Sequence, residues 1–165
     1  MRFAPDCIRA RPALQGARSQ GCWATATKSL IDMIVPGGSY VLLISLDEER
    51  SIVVGALGER NFPAGAYAYV GSAMGGLDAR IARHLRADKR MHWHVDYLLA
   101  HARVVDVVRV PSEERLECRI AAALVERVEA VQGFGCSDCA CASHLFRAGE
   151  MATLRAAVAA AVESV

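Results

Sequence analysis

The sequence predicts an α+β fold, because short strands and amphipathic helices both occur in a single chain of 165 residues. Segments rich in β-branched, aliphatic or aromatic residues predict strands at 39–46, 51–55 and 66–71. Apolar residues with the period of a helix begin at Leu77. A chain of this length is sufficient for one domain with a substantial core. We therefore place a single domain at 37–165.

Polar turns separate the predicted strands. Residues 47–50 form a charged turn after the first strand, and 61–65, which contains a proline and a glycine, predicts a loop before the third. Gly75 and Gly76 end the third strand before a helix begins.

The helix predicted over 77–86 has one apolar stripe and one basic side. Arg80 and His84 lie one turn apart at an edge of the stripe, where we expect them to be half-buried beside the sheet. Arg83 and Arg86 point away and are expected to be solvated. The residues of the stripe recur at i, i+4 and i+8 and are Leu77, Ile81 and Leu85.

Helices predominate in the second half of the domain. The patterns predict helices at 92–101, 111–128 and 151–162, and a strand at 103–110. Glu117 borders the stripe of the 111–128 helix near its N-terminus, where the helix dipole favours a carboxylate. The apolar stripe of that helix comprises Leu116, Ile120, Ala123 and Leu124.

Residues 1–36 differ from the rest of the chain, since they are basic, rich in small polar residues and without sustained periodicity. Their composition resembles a transit peptide. It equally resembles an upstream region read through from a misassigned start, with Met33 as the true first residue. We favour the second interpretation and expect this extension to be disordered.

Composition excludes several classes of protein. Hydrophobic residues make up 53% and charged residues 22%, which is typical of a folded chain, and the net charge of +1 gives no global attraction to nucleic acid. No apolar run reaches the ~18 residues of a membrane span. The six cysteines lack the spacing of a secreted disulfide scaffold, which favours a reducing, cytoplasmic setting.

Two local features are candidates for binding. A basic cluster in and after the first helix can contact phosphates, although a solvated helix face is the commoner explanation; its members are Arg80, Arg83, Arg86, Lys89 and Arg90.

The cysteine loop, Gly133–His144, contains the donors of a Cys₃His zinc site in Cys136, Cys139, Cys141 and His144. The alternative is a tight loop of small residues in which Gly133 and Gly135 have positive φ. Cys118 is predicted to be a packed thiol.

The order of these motifs resembles the GIY-YIG nuclease domain. Tyr40 and Tyr69-Val70-Gly71 lie on predicted strands, Arg80 and His84 follow on a helix, and Glu117 starts a later helix. More narrowly, the strings YVGSAMGGLDARIARHLR, HWHVDYLLAHA and GFGCSDCACASHLF are similar to those of small stand-alone Uri superfamily endonucleases. The resemblance covers roughly residues 38–147, with 47–65 as an inserted hairpin.

The resemblance implies a three-stranded antiparallel sheet flanked by helices and a metal-dependent endonuclease that hydrolyses DNA. Glu117 would hold Mg²⁺ or Mn²⁺, and Tyr69 or Tyr40 would hold or deprotonate the attacking water. Arg80 would neutralise charge on the phosphate, and His84 would relay a proton. Arg83, Arg86, Lys89 and Arg90 would bind the DNA.

Each of these residues also has a structural interpretation. A tyrosine on a strand is commonly a packing residue, and Arg80 can pair with Glu117 in a salt bridge. On a helix, His92 and His94 cannot face one point. They would then be a helix-start residue and a residue packed on Trp93. The alternative function is a non-catalytic nucleic-acid-binding module with a structural zinc in the cysteine loop.

Overall fold

A computed structural model describes residues 37–165, and the expectations for residues 1–36 lie outside this range. The described chain has seven strands and four α-helices, with a 3₁₀ turn at Gly55–Leu57. In chain order, the elements are β1 (Gly38–Leu46), β2 (Arg50–Val53), β3 (Glu59–Phe62), β4 (Gly65–Ser72), α1 (Leu77–Leu85), α2 (His94–Leu99), β5 (Arg103–Pro111), α3 (Glu117–Val125), β6 (Glu129–Ala130), β7 (Leu145–Ala148) and α4 (Met151–Glu163).

The main sheet has the strand order β5-β1-β4-β7-β6, and every neighbouring pair is antiparallel. This confirms the predicted α+β class. The sheet has five strands rather than three, because β7 pairs with β4 and then accepts the short β6 on its other edge. The Tyr40 and Tyr69 strands, β1 and β4, are neighbours in the centre of the sheet.

A separate two-stranded hairpin is inserted between β1 and β4, as the sequence indicated. β2 and β3 pair antiparallel from Arg50 opposite Phe62 to Val53 opposite Glu59. The prediction of a loop at 61–65 was wrong for residues 61, 62 and 65, since Gly65 is the first residue of β4. Asn61 and Phe62 belong to β3, because pairing with β2 and burial of Phe62 outweigh the weak strand propensity of this polar segment.

Alternation along the strands divides the core between the two faces of the sheet. On the first, which we call the cleft face, Tyr40, Leu42 and Ile44 of β1 lie beside Tyr67 and Tyr69 of β4. On the second, the apolar face, aliphatic residues of the same two strands pack against α3 and α4. The helix residues that cover the cleft face are Leu77, Ile81, Val95 and Leu98, and those that cover the apolar face include Ile120, Leu124, Leu154 and Val158.

Three helices differ from their predicted form. Leu85 is the last residue of α1 and is 56% exposed, so the stripe ends at Ile81, and His84 is buried in its place. α2 starts at His94 rather than at residue 92.

α3 starts at Glu117 rather than at residue 111, because β5 continues to Pro111 opposite Gly38. Within α3, Ala121 is buried instead of Ala123. Within residues 37–165, no helix has the length and apolar character needed to cross a membrane.

Candidate active site

Four of the five predicted catalytic residues line one cleft with a volume of about 520 Å³. Tyr40 and Tyr69 come from the sheet, Arg80 from α1 and Glu117 from the first turn of α3. The fifth, His84, is buried behind the tyrosines and contacts both of their rings. Other polar residues of the cleft include His92, His94, Arg115, Asp138 and His144.

A chain of polar groups runs from the cleft into the protein. The Tyr40 hydroxyl lies 2.8 Å from Nε2 of His84, and Nδ1 of His84 lies 3.5 Å from Oδ1 of Asp96. This buried Nδ1 forms no hydrogen bond of standard geometry among residues 37–165. The arrangement favours the tautomer with its proton on Nδ1, facing the carboxylate, because Nε2 can then accept the Tyr40 proton.

Asp96 is completely buried and anionic. Burial by itself would raise the pKa of Asp96, but hydrogen bonds from the Arg83 guanidinium and from the Trp93 and His92 amides outweigh it and lower the pKa. The guanidinium contacts both carboxylate oxygens, at 3.1 and 3.0 Å. Asp96 is therefore a fixed negative charge beside His84.

These contacts correct the prediction that Arg83 and Lys89 belong to a solvated basic face. Arg83 is half-buried against Asp96, and the Lys89 ammonium donates to the His84 carbonyl at 2.5 Å with its side chain only 7% exposed. The Lys89 ammonium also lies 3.9 Å from Oδ1 of Asp96. A buried carboxylate needs such cationic partners. Arg86 and Arg90 remain exposed, so only part of the predicted basic cluster faces solvent.

The side chains of Tyr40, Tyr69 and His84 are neutral at physiological pH, whereas Asp96 is anionic. Burial lowers the pKa of His84 to about 4, and the opposing effect of Asp96 is smaller. Burial likewise raises the pKa of both Tyr40 and Tyr69 well above its ordinary value, although the Arg80 charge acts in the opposite direction. A phenol and a neutral imidazole thus face each other at hydrogen-bond distance.

Trp93 holds two arginines of α1 in place. The guanidinium carbon of Arg80 lies 4.2 Å from the centre of the indole ring, and that of Arg83 lies 4.1 Å from it. Cation–π contacts of this kind fix the position of an otherwise flexible side chain. Because Arg83 is committed to Asp96, Arg80 is the cation of this pair that lines the cleft.

Glu117 presents a buried carboxylate to the cleft. The residue is 8% exposed, and its Oε2 has no hydrogen-bond partner within residues 37–165. Its ion-pair partner among these residues is Arg115, with 3.9 Å between the Arg115 Nη1 and Oε1 of Glu117. The alternative of a structural Arg80–Glu117 salt bridge is therefore wrong. An unsatisfied buried carboxylate oxygen is a suitable ligand for a hard divalent cation.

Two glycines allow the aromatic rings to reach the cleft. Gly71 lies opposite Tyr40 in the β1–β4 register, and a Cβ at this position would be 2.5 Å from the Tyr40 hydroxyl oxygen. Gly135 has a φ of 73°, and its Cβ would lie 3.2 Å from the Tyr69 ring. The positive φ values predicted for Gly133 and Gly135 are confirmed.

A protein-family model described as "Domain of unknown function DUF123" matches residues 39–165. The chain belongs to the DUF123 family. This description assigns no activity to the family. No curated protein and no solved structure matched the chain. The cleft of this DUF123 domain lies entirely within the matched residues.

The DUF123 domain contains a Cys₃His cluster that can bind a metal such as zinc. Its residues are Cys118, Cys139, Cys141 and His144, whose ligand atoms all lie within 4.8 Å of one another. The sequence predicted Cys136 in place of Cys118. The Cys136 thiol instead points to the Ala142 carbonyl, 3.8 Å away. Cys118 was expected to be a packed thiol, but the start of α3 places it against the cysteine loop.

His92 and His94 both line the cleft, because α2 starts only at His94 and the chain before it is not helical. His94 begins the helix and His92 packs on Trp93, with 4.7 Å between ring centres, as the structural interpretation expected. Nδ1 of His94 accepts a hydrogen bond from the Gly135 amide at 3.1 Å. His94 therefore connects α2 to the cysteine loop.

Sequence reasoning missed four residues of this site. The role of Asp96 had a local signal in the sequence, since an acid at the third position of a helix commonly accepts hydrogen bonds from the backbone amides before it. Trp93 lies between His92 and His94, and its aromatic character was the only indication of a role in the site. Cys118 and Arg115 had no signal, because their roles depend on how α3 lies against the cysteine loop and the cleft.

Proposed function

We propose that this DUF123 domain is a divalent-metal-dependent endonuclease that hydrolyses DNA phosphodiester bonds, of the GIY-YIG type and close to the Uri superfamily endonucleases. The observation that carries the proposal is the position of Glu117. A buried carboxylate with an unpartnered oxygen lines the same cleft as a tyrosine–histidine–aspartate chain and an arginine. Such a hydrolysis needs a general base, a ligand for the cation and a group that binds the phosphate.

Tyr40 is the residue we assign to accept a proton from the attacking water. Its raised pKa excludes a phenolate in the resting site, so its own proton must leave as the water proton arrives. Nε2 of His84, 2.8 Å away, receives that proton. The buried Asp96 carboxylate then stabilises the imidazolium, as an acidic residue does in other histidine relays. Tyr69 completes the water-binding side of the cleft.

Arg80 and Glu117 act on the phosphate. The Arg80 guanidinium, held on Trp93, neutralises charge that develops on the phosphate oxygens. Glu117 would hold Mg²⁺ or Mn²⁺, because its free oxygen is the hard ligand these ions prefer. The bound cation would polarise the phosphate and stabilise the leaving oxygen.

DNA would approach over the exposed cations beside the cleft. Arg86 and Arg90 lie in the segment after α1, and Arg115 lines the cleft near Glu117. Phosphate contacts by such side chains make binding fall with salt concentration. The unpaired thiols of the described residues suit a reducing, cytoplasmic compartment.

Nicking of supercoiled plasmid with Mg²⁺ or Mn²⁺ tests the proposal. We expect the wild type to nick DNA and Glu117→Gln to lose at least about 100-fold in rate, because a neutral amide binds the cation poorly. The matched control is Glu126→Gln, since Glu126 is the exposed acid at the end of the same helix. This control should cleave at the wild-type rate.

Two results would overturn the proposal. The first is nicking that persists equally in Glu117→Gln or in excess chelator. The second is salt-dependent DNA binding with no turnover in any divalent ion, which would favour the non-catalytic binding module instead.

A further inference from the structure

We propose that Cys118, Cys139, Cys141 and His144 bind one structural zinc ion, which fixes the first turn of α3, and with it Glu117, to the cysteine loop. The ligand set differs from the sequence pattern in one position. The fourth ligand is on a helix of the apolar face, outside the loop that supplies the other three.

The distances match a tetrahedral zinc site. Zinc bonds of about 2.3 Å to sulfur and 2.0–2.1 Å to nitrogen place a sulfur roughly 3.6 Å from a nitrogen ligand. Nε2 of His144 lies 3.5 Å from the Cys139 sulfur and 3.9 Å from the Cys118 sulfur. These two sulfur-to-nitrogen distances are thus close to those of the bound state, and all four donor atoms lie within 4.8 Å of one another.

The loop conformation explains how closely spaced cysteines face one point. A turn at 137–138 and a bend at 139–140 follow Cys136, and the Cys139 amide donates to the Cys136 carbonyl at 3.4 Å. These reversals bring Cys139 and Cys141 to the same side. They turn the Cys136 thiol toward the Ala142 carbonyl and away from the other donors.

The donor set indicates a structural rather than a catalytic ion. Four protein ligands complete a tetrahedral site, whereas catalytic zinc sites keep a position for water. His144 also lines the cleft, and the adjacent Gly135 carries the amide that bonds His94. Zinc would therefore join α3 to the cysteine loop, and the Gly135 amide of that loop already donates to His94 at the start of α2.

The link to Glu117 is direct, since Cys118 is the next residue of the same helical turn. On its other side this turn is held by Ser39, whose hydroxyl accepts a hydrogen bond from the Leu116 amide at 3.0 Å. The backbone before Glu117 is thus fixed by β1, and the backbone after it would be fixed by zinc. Metal removal should loosen one of these two attachments.

Metal content of purified full-length variants tests the ligand set. We expect one zinc per chain in the wild type, loss of that zinc in Cys118→Ser, and full retention in Cys136→Ser. Cobalt substitution should give the sulfur-to-cobalt absorption of a tetrahedral thiolate site in the wild type and in Cys136→Ser. Retained zinc in Cys118→Ser together with loss in Cys136→Ser would overturn the proposal.

Alkylation of the wild type gives a measurement that does not depend on whether a variant folds. Peptide mapping should show Cys118, Cys139 and Cys141 protected until a zinc chelator is added, while Cys136 reacts throughout. Equal reactivity of all four without a chelator, or a disulfide among them, would overturn the proposal.

The effect on Glu117 requires a separate measurement. Zinc removal should accelerate amide hydrogen exchange in the first turn of α3 but not in the middle of α4. Unchanged exchange in α3 would refute the positioning role. The inference concerns the residue on which the proposed function rests, but zinc content, cobalt absorption and exchange are all measured without DNA. A failure of nuclease activity would therefore leave these results unaffected.

Discussion

The two faces of the central sheet use the same strands for different purposes. On the apolar face, Val41, Leu43 and Val70 pack against aliphatic residues of α3 and α4. On the cleft face, residues one position away in the same strands include Tyr40 and Tyr69, which contact a buried histidine. Burial stabilises the first face directly. The second face buries polar groups that need partners, and these partners form the candidate site.

Glu117 connects the two faces. Its helix packs on the apolar face through Ile120 and Leu124, yet its first turn reaches the cleft. The site therefore depends on the apolar face for the position of one essential group. Substitutions can separate these contributions, since residues of the cleft face should affect activity and residues of the apolar face should affect stability.

The largest effect is expected from removing one hydroxyl on the cleft face. Tyr40→Phe deletes the group bonded to His84 while preserving the ring, so nicking should fall by about 10²–10⁴-fold. Tyr67→Phe is the matched control, because the Tyr67 hydroxyl donates to the Pro63 carbonyl elsewhere on the same face. Plasmid nicking rates compare the two variants. Equal activity in both would remove the proton relay from the mechanism.

A core truncation on the apolar face should act on stability alone. Leu124→Ala leaves a cavity beside the sheet and should reduce the free energy of unfolding by about 2–5 kcal/mol. The neighbouring Val125 is 45% exposed, and Val125→Ala should change that free energy by no more than about 0.5 kcal/mol. Denaturant titrations measure both values. A loss of specific activity in fully folded Leu124→Ala would show that the two faces are not separable.

Acid should destabilise the cleft face through His84. Its pKa is lowered from 6.5 to about 4 in the folded protein, so between these pH values only the unfolded chain takes up the proton. The stability contribution of neutral His84 is complete above about pH 6.5, and about 3 kcal/mol of it is lost by pH 4.

Unfolding of His84→Gln, measured at several pH values between 6.5 and 4, should show a correspondingly smaller loss. The contribution of Asp96 is lost only at lower pH, because its pKa in the folded protein lies below the ordinary value of 3.8. His101→Asn replaces an exposed histidine and should retain the wild-type slope. The same slope in His84→Gln and the wild type would contradict the assignment.

The smallest effect is expected at the contact between β1 and β4. An alanine at Gly71 would place a methyl group 2.5 Å from the Tyr40 hydroxyl, so the ring must move. Gly71→Ala should cost about 1–3 kcal/mol in unfolding free energy and should also reduce nicking. At Gly149, an added Cβ meets no atom within 4 Å, so Gly149→Ala serves as the control. Thermal melts and nicking assays of both variants test this contact.

Much of the fold was predictable because its signals are local. Strand-like residue patterns predicted β1, β4 and β5, and helical periodicity predicted α1 and α4. The polar turn at 47–50 indicated the start of the inserted hairpin. The short β6 and β7 lacked such a signal, since their strand form depends on pairing at the edge of the sheet. Leu85 shows the converse. It continues the i, i+4, i+8 pattern of α1, but it lies beyond the part of the helix that packs on the sheet and is therefore exposed.

The candidate site was predictable only in part. Tyr40, Tyr69, Arg80 and Glu117 followed from motif order, and the structure brings them to one cleft. The same basic pattern that suggested a DNA-binding face includes Arg83 and Lys89, which instead surround a buried carboxylate. The charge of a side chain can be read from the sequence, whereas its partner depends on the neighbouring helix.

The α+β class, the central strands and the chemical types of the site residues follow from the amino-acid sequence, because periodicity and residue chemistry are properties of a few neighbouring positions. The tertiary structure alone decided that His84 faces Asp96 and that Cys118 joins the cysteine loop. These contacts join residues on different elements, at distances set by how the helices pack on the sheet. Sequence spacing carries little information about such packing, which is why the site could be completed only once the fold was known.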